Sequence, residues 1–490
     1  MNEPAVPGAR LPDIPAVDPG KHGLAQDAVS LLQTTVFSIA SSAPTAAMTI
    51  TFAALIVASA RGGATAIIIT IIPMLVIANS FRRLNSWETN CGAQYVWVGR
   101  AAGPRLGFLT GWVVLAALMF GTVATVLPVG PSFLDLVGLN ASSQLGAALS
   151  ATVLSLIVMI LAVLGITLTA RFQLTLAAVE YGVVVVLTAF GLWQTFVTHP
   201  PGFVHPSWAW LSPSGVGGAG SLVSTLLLSV FLIAGWDAPL YVNEETRNRS
   251  VNPGKAVMIS VVVLGLFYAV MTIAFQGVAS VAQINAHAAE GLSFAARRVA
   301  GQPGEKAMSF AILLSAVATT QIGFVELSRI SYAMSTDRLV PKVFGQLHPR
   351  FRTPVFGTIF FAVVTIIVTW ASVYSSSVAN AFNLIVATTG VLYGAFYAIS
   401  AVTNMWYYRS QLRSGAGNLI SVGLLPLAAA GYLVWVIVKS VAAFSRGENL
   451  TLAGVLVTGI AALVFARVVK RSPFFQLRPV RYQAGDPPRR

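Results

Sequence analysis

Long apolar runs recur about twelve times along the 490 residues of the chain, and this recurrence restricts its fold more than any other feature. Each run has roughly 17–25 residues, the length that an α-helix needs to cross the hydrocarbon core of a bilayer. Charged residues make up 9% of the chain, against about 25% in soluble domains. A soluble fold of this length has too little interior to bury so much apolar surface. We therefore predict an all-α integral membrane protein.

We number the predicted membrane helices as spans 1 to 12 in chain order. Their approximate bounds are residues 29–58, 64–84, 105–129, 145–168, 172–197, 221–243, 254–280, 307–335, 355–373, 378–405, 417–441 and 450–468. The longest stretches between them are residues 198–220 and 281–306, which we predict as loops.

Lysine and arginine are concentrated on one side of these spans. If the N-terminus is cytoplasmic, the segments on its side hold 24 of the 30 Lys and Arg residues, and the opposite side holds 6. An excess of basic residues is typical of short cytoplasmic loops. The bias predicts a multi-pass protein of the cytoplasmic membrane with both termini inside. We call the side of the termini the inner end and the opposite side the outer end.

Composition argues against several other classes of protein. The net charge of +14 is spread over loops and a tail rather than one basic face, so we expect no nucleic-acid partner. The one cysteine, Cys91, cannot form an internal disulfide, and all five histidines fall in tails or loops. We therefore expect no metal site and no haem. The few lysines relative to arginines and the alanine-rich helices are typical of a bacterial protein.

Two spans carry an Ala-Pro step in the middle of the membrane. Span 1 contains it within Ser38–Ala46, and span 6 contains it within Phe231–Leu240. Proline removes a backbone donor and clashes with the preceding turn, so each step predicts a break in its helix, with a new helix starting after the proline. Lipid cannot satisfy the freed backbone groups, which must face protein, ligand or water. The ends of the half-helices could bind a carboxylate and a cation.

Interruptions at corresponding positions of two halves are typical of secondary transporters. The two breaks predict a five-plus-five repeat, with a ten-helix core over residues 28–405 made of repeats at about 28–198 and 220–405. Residues 406–470 would add two further helices. Residues 1–27 would form a disordered cytosolic tail, and residues 471–490 a basic cytosolic tail.

Four motifs around these breaks resemble the amino acid–polyamine–organocation superfamily of permeases. They are Cys91–Trp97 followed by Gly107–Trp112; Gly235–Asp237 followed by Glu244–Asn248; Arg329–Met334; and Asp337–Pro341. The resemblance covers most of the chain. It implies the fold of the bacterial leucine transporter, an inverted repeat with discontinuous helices 1 and 6. It also implies alternating access and substrates among amino acids and amines.

The resemblance also implies which residues bind the substrate. They are Ala40, Ser41, Ser42, Ala43 and Thr45 of span 1, and Phe231, Gly235, Trp236 and Asp237 of span 6, with Phe231 matching the aromatic gate of the family. One departure concerns the start of the second half-helix. Many members have a glycine-rich segment there that offers free amides to a substrate carboxylate, whereas this chain has serines and Pro44, which has no amide.

Acidic residues inside spans are energetically unfavourable and usually functional. Asp237 could bind a substrate ammonium or a proton, or could instead cap the helix after Pro239. Glu180 of span 5 could bind a proton, or ligate sodium together with Thr319 and Thr320 of span 8, or form a structural pair. Glu326 lies three residues before Arg329, so the two predict a structural or gating salt bridge on one helix face near the inner end.

These patterns together predict a secondary permease for amino acids or related amines rather than an enzyme. We expect it to be coupled to protons or to exchange substrates, to need no cofactor, and to act as a monomer or homodimer in the bilayer. A sodium-coupled carrier on the same fold, and a carrier of polyamines or organocations, remain alternatives. A membrane-embedded enzyme would need a catalytic cluster that the loops do not offer, and a channel would show flux that does not saturate.

Overall fold

The computed structural model describes residues 23–140, 143–375 and 378–482. Most of the predicted N-terminal tail and residues 483–490 of the predicted basic tail lie outside the described residues. Apart from an isolated bridge between Val29 and Thr246, the described residues form helices and turns and no strand.

The α-helices have the following bounds: α1 Leu31–Ser41, α2 Pro44–Ser59, α3 Gly63–Trp87, α4 Gln94–Ala101, α5 Pro104–Val126, α6 Val129–Leu136, α7 Gln144–Val163, α8 Ile166–Trp193, α9 Ala219–Ile233, α10 Asn252–Gln276, α11 Val281–Ala286, α12 Gly291–Thr336, α13 Val355–Ser375, α14 Val378–Tyr407, α15 Ala416–Asn418, α16 Leu425–Ala443 and α17 Arg446–Val464. Within the described residues they form twelve segments long and apolar enough to cross a membrane. The predicted number of spans is confirmed.

Span 1 is broken where the sequence predicted. Helix α1 begins with a capping box between Ser30 and Gln33 and ends at Ser41. Ala43 follows in the left-handed region with φ 46°, and Pro44 is the first residue of α2. Because proline has no amide hydrogen and a fixed φ, it suits the first turn of a helix better than its interior. The break therefore lies immediately before Pro44.

Span 6 is also broken, but its second half differs from the prediction. Helix α9 ends at Ile233, Ala234 is extended, and Gly235 has a positive φ of 93°. Two short 3₁₀ turns, Ala238–Leu240 and Asn243–Glu245, follow in place of the expected α-helix. The side chains of these turns bind neighbouring elements, as described below, and these contacts fix the backbone without a helical ladder.

The predicted loop at residues 281–306 is largely helical as well. It contains α11 and the first part of α12, which departs from helical geometry at Ala300 and Gly301. After this kink, α12 continues as span 8 to Thr336.

The two breaks lie against each other in the middle of the protein. The Ser38 hydroxyl donates a hydrogen bond to the Trp236 carbonyl. At Gly235, an added Cβ would lie 3.1 Å from the Ser41 carbonyl oxygen, so this glycine permits the close approach of the two backbones. Around the breaks, span 2 packs along span 7, and span 3 packs against spans 8 and 10. This packing leaves a space between spans 1, 3, 6, 8 and 10.

Candidate substrate site

A cavity of about 90 Å³, which we call the central cavity, lies beside the two breaks. Its walls come from spans 1, 3, 6, 8 and 10 and are mostly apolar. The lining residues that bear on function are Ser41, Ser42, Ala43, Phe231, Gly235, Thr319, Glu326 and Tyr393. Five of the nine residues predicted to bind substrate are among them.

Glu326 is the charged side chain of this cavity, as no other described lining residue carries a charge. It is 3% exposed and accepts a hydrogen bond of 2.9 Å from the Ser41 hydroxyl. None of the ion pairs formed by the described residues involves it. The hydroxyl of Ser42, which also lines the cavity, is buried and has no hydrogen-bond partner among the described residues. A carboxylate and a free hydroxyl therefore face the same small space.

Asp237 lies outside this cavity in a closed ring of donors. Its carboxylate accepts hydrogen bonds from the Gln94 amide at 2.9 Å, the Tyr241 hydroxyl at 2.7 Å and the Tyr397 hydroxyl at 2.8 Å. Tyr397 in turn accepts a bond of 3.1 Å from the Gly235 amide. Asp237 makes no side-chain cap bond to the turn that follows. The carboxylate thus fixes the broken backbone of span 6 through its neighbours.

Sequence reasoning missed the three donors around Asp237. Gln94 belongs to a motif that we had used only as a family marker, and Tyr241 follows Asp237 by four residues, a spacing that could have indicated the contact. Nothing local to Tyr397 in span 10 indicates its role.

Glu180 is 1% exposed and accepts a hydrogen bond of 2.6 Å from the Thr45 hydroxyl. Thr45 is the second residue of α2, so the Glu180 carboxylate lies at the N-terminal end of that helix. A helix N-terminus carries partial positive charge and favours an anion. The helix end that was predicted to face a substrate carboxylate therefore already has a carboxylate beside it.

The hydrogen bonds that Thr319 and Thr320 form among the described residues do not include Glu180. The Thr319 hydroxyl, which lines the central cavity, donates to the Ala40 carbonyl at 2.6 Å. Thr320 bonds within its own helix and lies 3.2 Å from the Thr125 hydroxyl. A hydroxyl that donates its hydrogen keeps its oxygen lone pairs, so a role of these threonines in binding sodium stays a prediction.

The predicted salt bridge between Glu326 and Arg329 is wrong. Arg329 instead forms two hydrogen bonds, of 2.9 and 3.1 Å, with the carboxylate of Glu245, and both side chains are fully buried. A guanidinium and a carboxylate fit each other with two parallel bonds, a geometry that Glu245 from the second 3₁₀ turn of span 6 provides. Glu326 turns towards Ser41. A gating role for Arg329 stays a prediction.

The remaining predicted residues support the site without lining it. Ala40 and Thr45 make the contacts described above. Trp236 is fully buried, with its ring centroid 5.3 Å from that of Phe81 and 4.8 Å from that of Tyr397. It packs behind the break.

Phe231 separates the central cavity from a second, larger cavity. This outer cavity has a volume of about 400 Å³ and extends along spans 1, 6, 10 and 11 to Glu448 at the start of span 12. The residues that line both cavities are Ile50, Phe231, Val386 and Gly390. Phe231 has the largest side chain of these four residues.

Comparison with known proteins agrees with this architecture. The family described as amino acid permease matches residues 29–465. The branched-chain amino acid permease BcaP of Bacillus subtilis is 25% identical over 320 residues, which are 61% of this chain and 65% of that protein. The low-affinity putrescine importer PlaP of Escherichia coli is 23% identical over 365 residues, 70% of this chain and 73% of that protein. The chain thus spans just under two thirds of the length of BcaP.

Among solved structures, a manganese transporter variant from Eremococcus coleocola superposes with a TM-score of 0.59 at 14% identity, over 89% of this chain and 95% of the other. That likeness concerns the fold, which is the leucine-transporter type that the family resemblance implied. The family and its relatives are membrane transporters and not enzymes. By its family match over most of the sequence, the chain belongs to the amino acid permeases of the amino acid–polyamine–organocation superfamily.

Proposed function

We propose that the protein is a secondary active transporter of small protonated amines, including amino acids, whose ammonium group binds to Glu326. The main support is the environment of this carboxylate in the central cavity. Among the described residues its hydrogen-bond partner is the Ser41 hydroxyl, and no basic residue lines the cavity. Buried charges are normally paired, because an unpaired one has lost its hydration without compensation. A substrate ammonium would supply the missing positive charge, and the aromatic ring of Phe231 could add a cation–π contact.

The central cavity suits an ammonium group better than the carboxylate of an amino acid. The N-terminus of α2 already has Glu180 beside it through Thr45, and Pro44 has no N–H to offer. Ser42 remains as a donor. The carboxylate of an α-amino acid would need neutral donors such as this hydroxyl, because no described lining residue is basic, whereas the ammonium group of a simple amine can pair with Glu326. The relatives that carry putrescine and branched-chain amino acids make both classes reasonable candidates.

Binding measurements on the purified protein test this assignment. A ligand that binds the native state raises the melting temperature, so putrescine and leucine can be compared by thermal shift. In Glu326→Gln the ammonium loses its counter-charge, and we expect affinity for amines to fall roughly 30-fold or more. Glu290→Gln, the same change on an exposed residue of the outer loop, is the control. Wild-type amine binding by Glu326→Gln would refute the role of Glu326.

We further propose that transport is coupled to protons or exchanges one substrate for another. Glu180 and Asp237 are both buried carboxylates that could take up a proton. Transport would proceed by alternating access, with the central cavity open to each side in turn.

Uptake into proteoliposomes with independently imposed pH and sodium gradients separates the two modes. We expect amine uptake to follow the pH gradient, and Glu180→Gln to abolish this dependence while substrate exchange continues. Uptake that follows the sodium gradient at constant pH would establish the sodium-coupled alternative. If Glu180→Gln and Asp237→Asn both keep proton-driven uptake, neither carboxylate is the coupling group.

A further inference from the structure

The interface between spans 5 and 7 contains a row of polar groups that the substrate site does not use. The two spans run side by side in the same direction: the rings of Tyr181 and Phe267 lie 5.8 Å apart, and further along the Thr195 hydroxyl donates to the Ala274 carbonyl at 3.2 Å. Tyr181, Thr188 and Thr195 are seven residues apart in turn, so they share one face of span 5. Thr188 therefore also faces span 7.

Span 7 presents its own polar side chains to the protein interior. Tyr268 and Gln276 are eight residues apart, about two helical turns, and both are fully buried. Gln276 is the last residue of α10, next to Gly277, whose added Cβ would lie 2.6 Å from Thr195. The polar residues of the two spans thus extend from the middle of the membrane to its outer end.

Five buried polar atoms of these residues have no hydrogen-bond partner among the described residues. They are the hydroxyls of Tyr181, Tyr268 and Thr188 and both side-chain amide atoms of Gln276. Buried polar groups are nearly always hydrogen-bonded, and a buried group without a protein partner is normally satisfied by internal water. So many unsatisfied atoms in one interface indicate that water occupies it.

The row begins at Glu180. The Tyr181 and Tyr268 phenols are both near enough to interact electrostatically with its carboxylate. The other polar groups against Glu180 are Thr45, from the second half of span 1, and Ser315, from span 8. No basic side chain is among these groups, so a proton is the positive charge that could reach the carboxylate through this interface.

The row ends beneath two histidines at the outer end. The loop after span 5 is held over the end of span 7 by a hydrogen bond of 2.8 Å from the Val204 amide to the Gly277 carbonyl. This loop carries His199 and His205, which are exposed and whose rings lie 4.6 Å apart. The two histidines therefore lie at the outer mouth of the row.

We propose that water molecules between spans 5 and 7 carry protons between the outer solution and Glu180, by a route separate from the substrate cavity. The inference rests on the proposed proton coupling. A hydronium ion at the outer end gives up a proton, each water or hydroxyl accepts one proton and releases another, and the Glu180 carboxylate takes the last. The waters are left unchanged, and the carboxylate becomes a neutral carboxylic acid.

Radiolytic hydroxyl-radical labelling tests the water directly, without depending on transport. Radicals formed from bound water oxidise adjacent tyrosines, so we expect Tyr268 and Tyr181 to be labelled in the folded protein. Tyr241 and Tyr397 are the controls for Tyr268, because all three are fully buried but the two controls are bonded to Asp237. If Tyr268 is labelled no faster than these controls, the interface is dry and the proposal is wrong.

Proton flux into proteoliposomes tests the route. Thr188→Val and Gln276→Leu keep side-chain bulk but remove the polar atoms, and we expect each to slow substrate-driven proton movement at least tenfold while amine exchange continues. Thr175→Val, on the exposed face of span 5, should behave as wild type. If both row variants keep wild-type flux while Glu180→Gln loses it, protons reach Glu180 by another path. If the wild-type protein accumulates amines without moving protons, the proposed coupling fails as well, whatever the labelling shows.

Discussion

The two ends of the central cavity are closed in different ways. Towards the outer end, the half-buried side chain of Phe231 lies between the central cavity and the outer cavity. Towards the inner end, the fully buried pair of Glu245 and Arg329 ties span 6 to span 8. An aromatic ring can rotate aside, whereas a buried ion pair must be rehydrated before its partners separate. The central cavity is therefore closed at both ends, and we expect the aromatic closure towards the outer end to open more readily than the ion-paired closure at the inner end.

Further contacts strengthen the inner closure. The Tyr95 hydroxyl donates to the Asp337 carboxylate at 2.9 Å, and the Ser472 hydroxyl donates to the Asp337 carbonyl at 2.7 Å. Phe474, which is 4% exposed, packs against Tyr95 with 5.9 Å between ring centroids. The segment after span 12 thus folds back onto α4 and the inner end of span 8.

The largest effect should follow from breaking the ion pair at the inner end. Arg329→Met leaves the Glu245 charge buried without a partner, a loss of about 3–5 kcal/mol, so the inner end should open. Cys91 reports this opening: it is the chain's one cysteine, it is fully buried, and burial raises the pKa of its thiol. We expect maleimide to label Cys91 at least tenfold faster in the variant than in the wild type.

A double substitution controls for general loss of structure. Glu245→Gln combined with Arg329→Met removes both charges, and we expect labelling of Cys91 to slow again and the melting temperature to recover in part. Equally slow labelling in the wild type and in Arg329→Met would mean that the ion pair does not hold the inner end shut.

A smaller effect should follow from removing the aromatic ring at the outer end. Phe231→Ala joins the two cavities, so a bound amine should dissociate faster, and we expect its affinity to fall about tenfold. Labelling of Cys91 should not change, because the ring lies on the opposite side of the site. Faster Cys91 labelling in this variant would show that the two ends are not closed independently. The loss of amine affinity is measured by ligand-induced thermal shifts and by dissociation rates.

The smallest effect concerns pH at the inner end. Burial raises the pKa of the Asp337 carboxyl, against the opposing influences of Tyr95 and Arg100. Opening to water returns this pKa towards about 4, so the closed form binds the proton more tightly. Low pH should therefore stabilise the closed form. This stabilisation is fully present below the pKa that Asp337 has in the open form, and it is lost as pH rises through the raised pKa of the closed form. We expect Cys91 labelling of the wild type relative to Asp337→Asn to rise with pH, by at most about fivefold.

Dividing the rate of Cys91 labelling in the wild type by the rate in Asp337→Asn cancels two other effects of pH. The reagent reacts with the thiolate of Cys91 in both proteins, and burial raises the pKa of Glu244 in both. A ratio that stays constant from pH 5 to pH 8 would exclude Asp337 as a pH-sensitive part of the closure.

Features that depend on neighbouring residues could be predicted from the sequence. Hydropathy located the twelve spans, and the Ala-Pro steps located both breaks, because a proline disturbs the helix in which it lies. Contacts between residues that are distant along the chain could not be predicted in this way. Ser41 and Glu326 are 285 positions apart, and Arg329 and Glu245 are 84 apart. The helical spacing of Glu326 and Arg329 suggested a local pair, but a bidentate partner from another span was stronger.

The same limit explains the second half of span 6. The Ala-Pro step favours a new helix after Pro239, and local propensity offers no reason to expect otherwise. The turns are fixed instead by side chains from elsewhere: Asn243 donates to Asn85 and to the Asn90 carbonyl, and Glu245 binds Arg329. Tertiary contacts of this kind are absent from any local pattern.

The buried pair of Glu245 and Arg329 has a consequence for synthesis of the protein. Span 6 is synthesised before span 8, so Glu245 has no ion-pair partner until the helix that carries Arg329 has been inserted. Asp237 lacks one of its donors for longer, since Tyr397 is 160 positions further along the chain. The first half of the protein therefore cannot complete its native contacts until the second half has been synthesised. A nascent chain halted between these points should be a favoured substrate for membrane quality-control proteases.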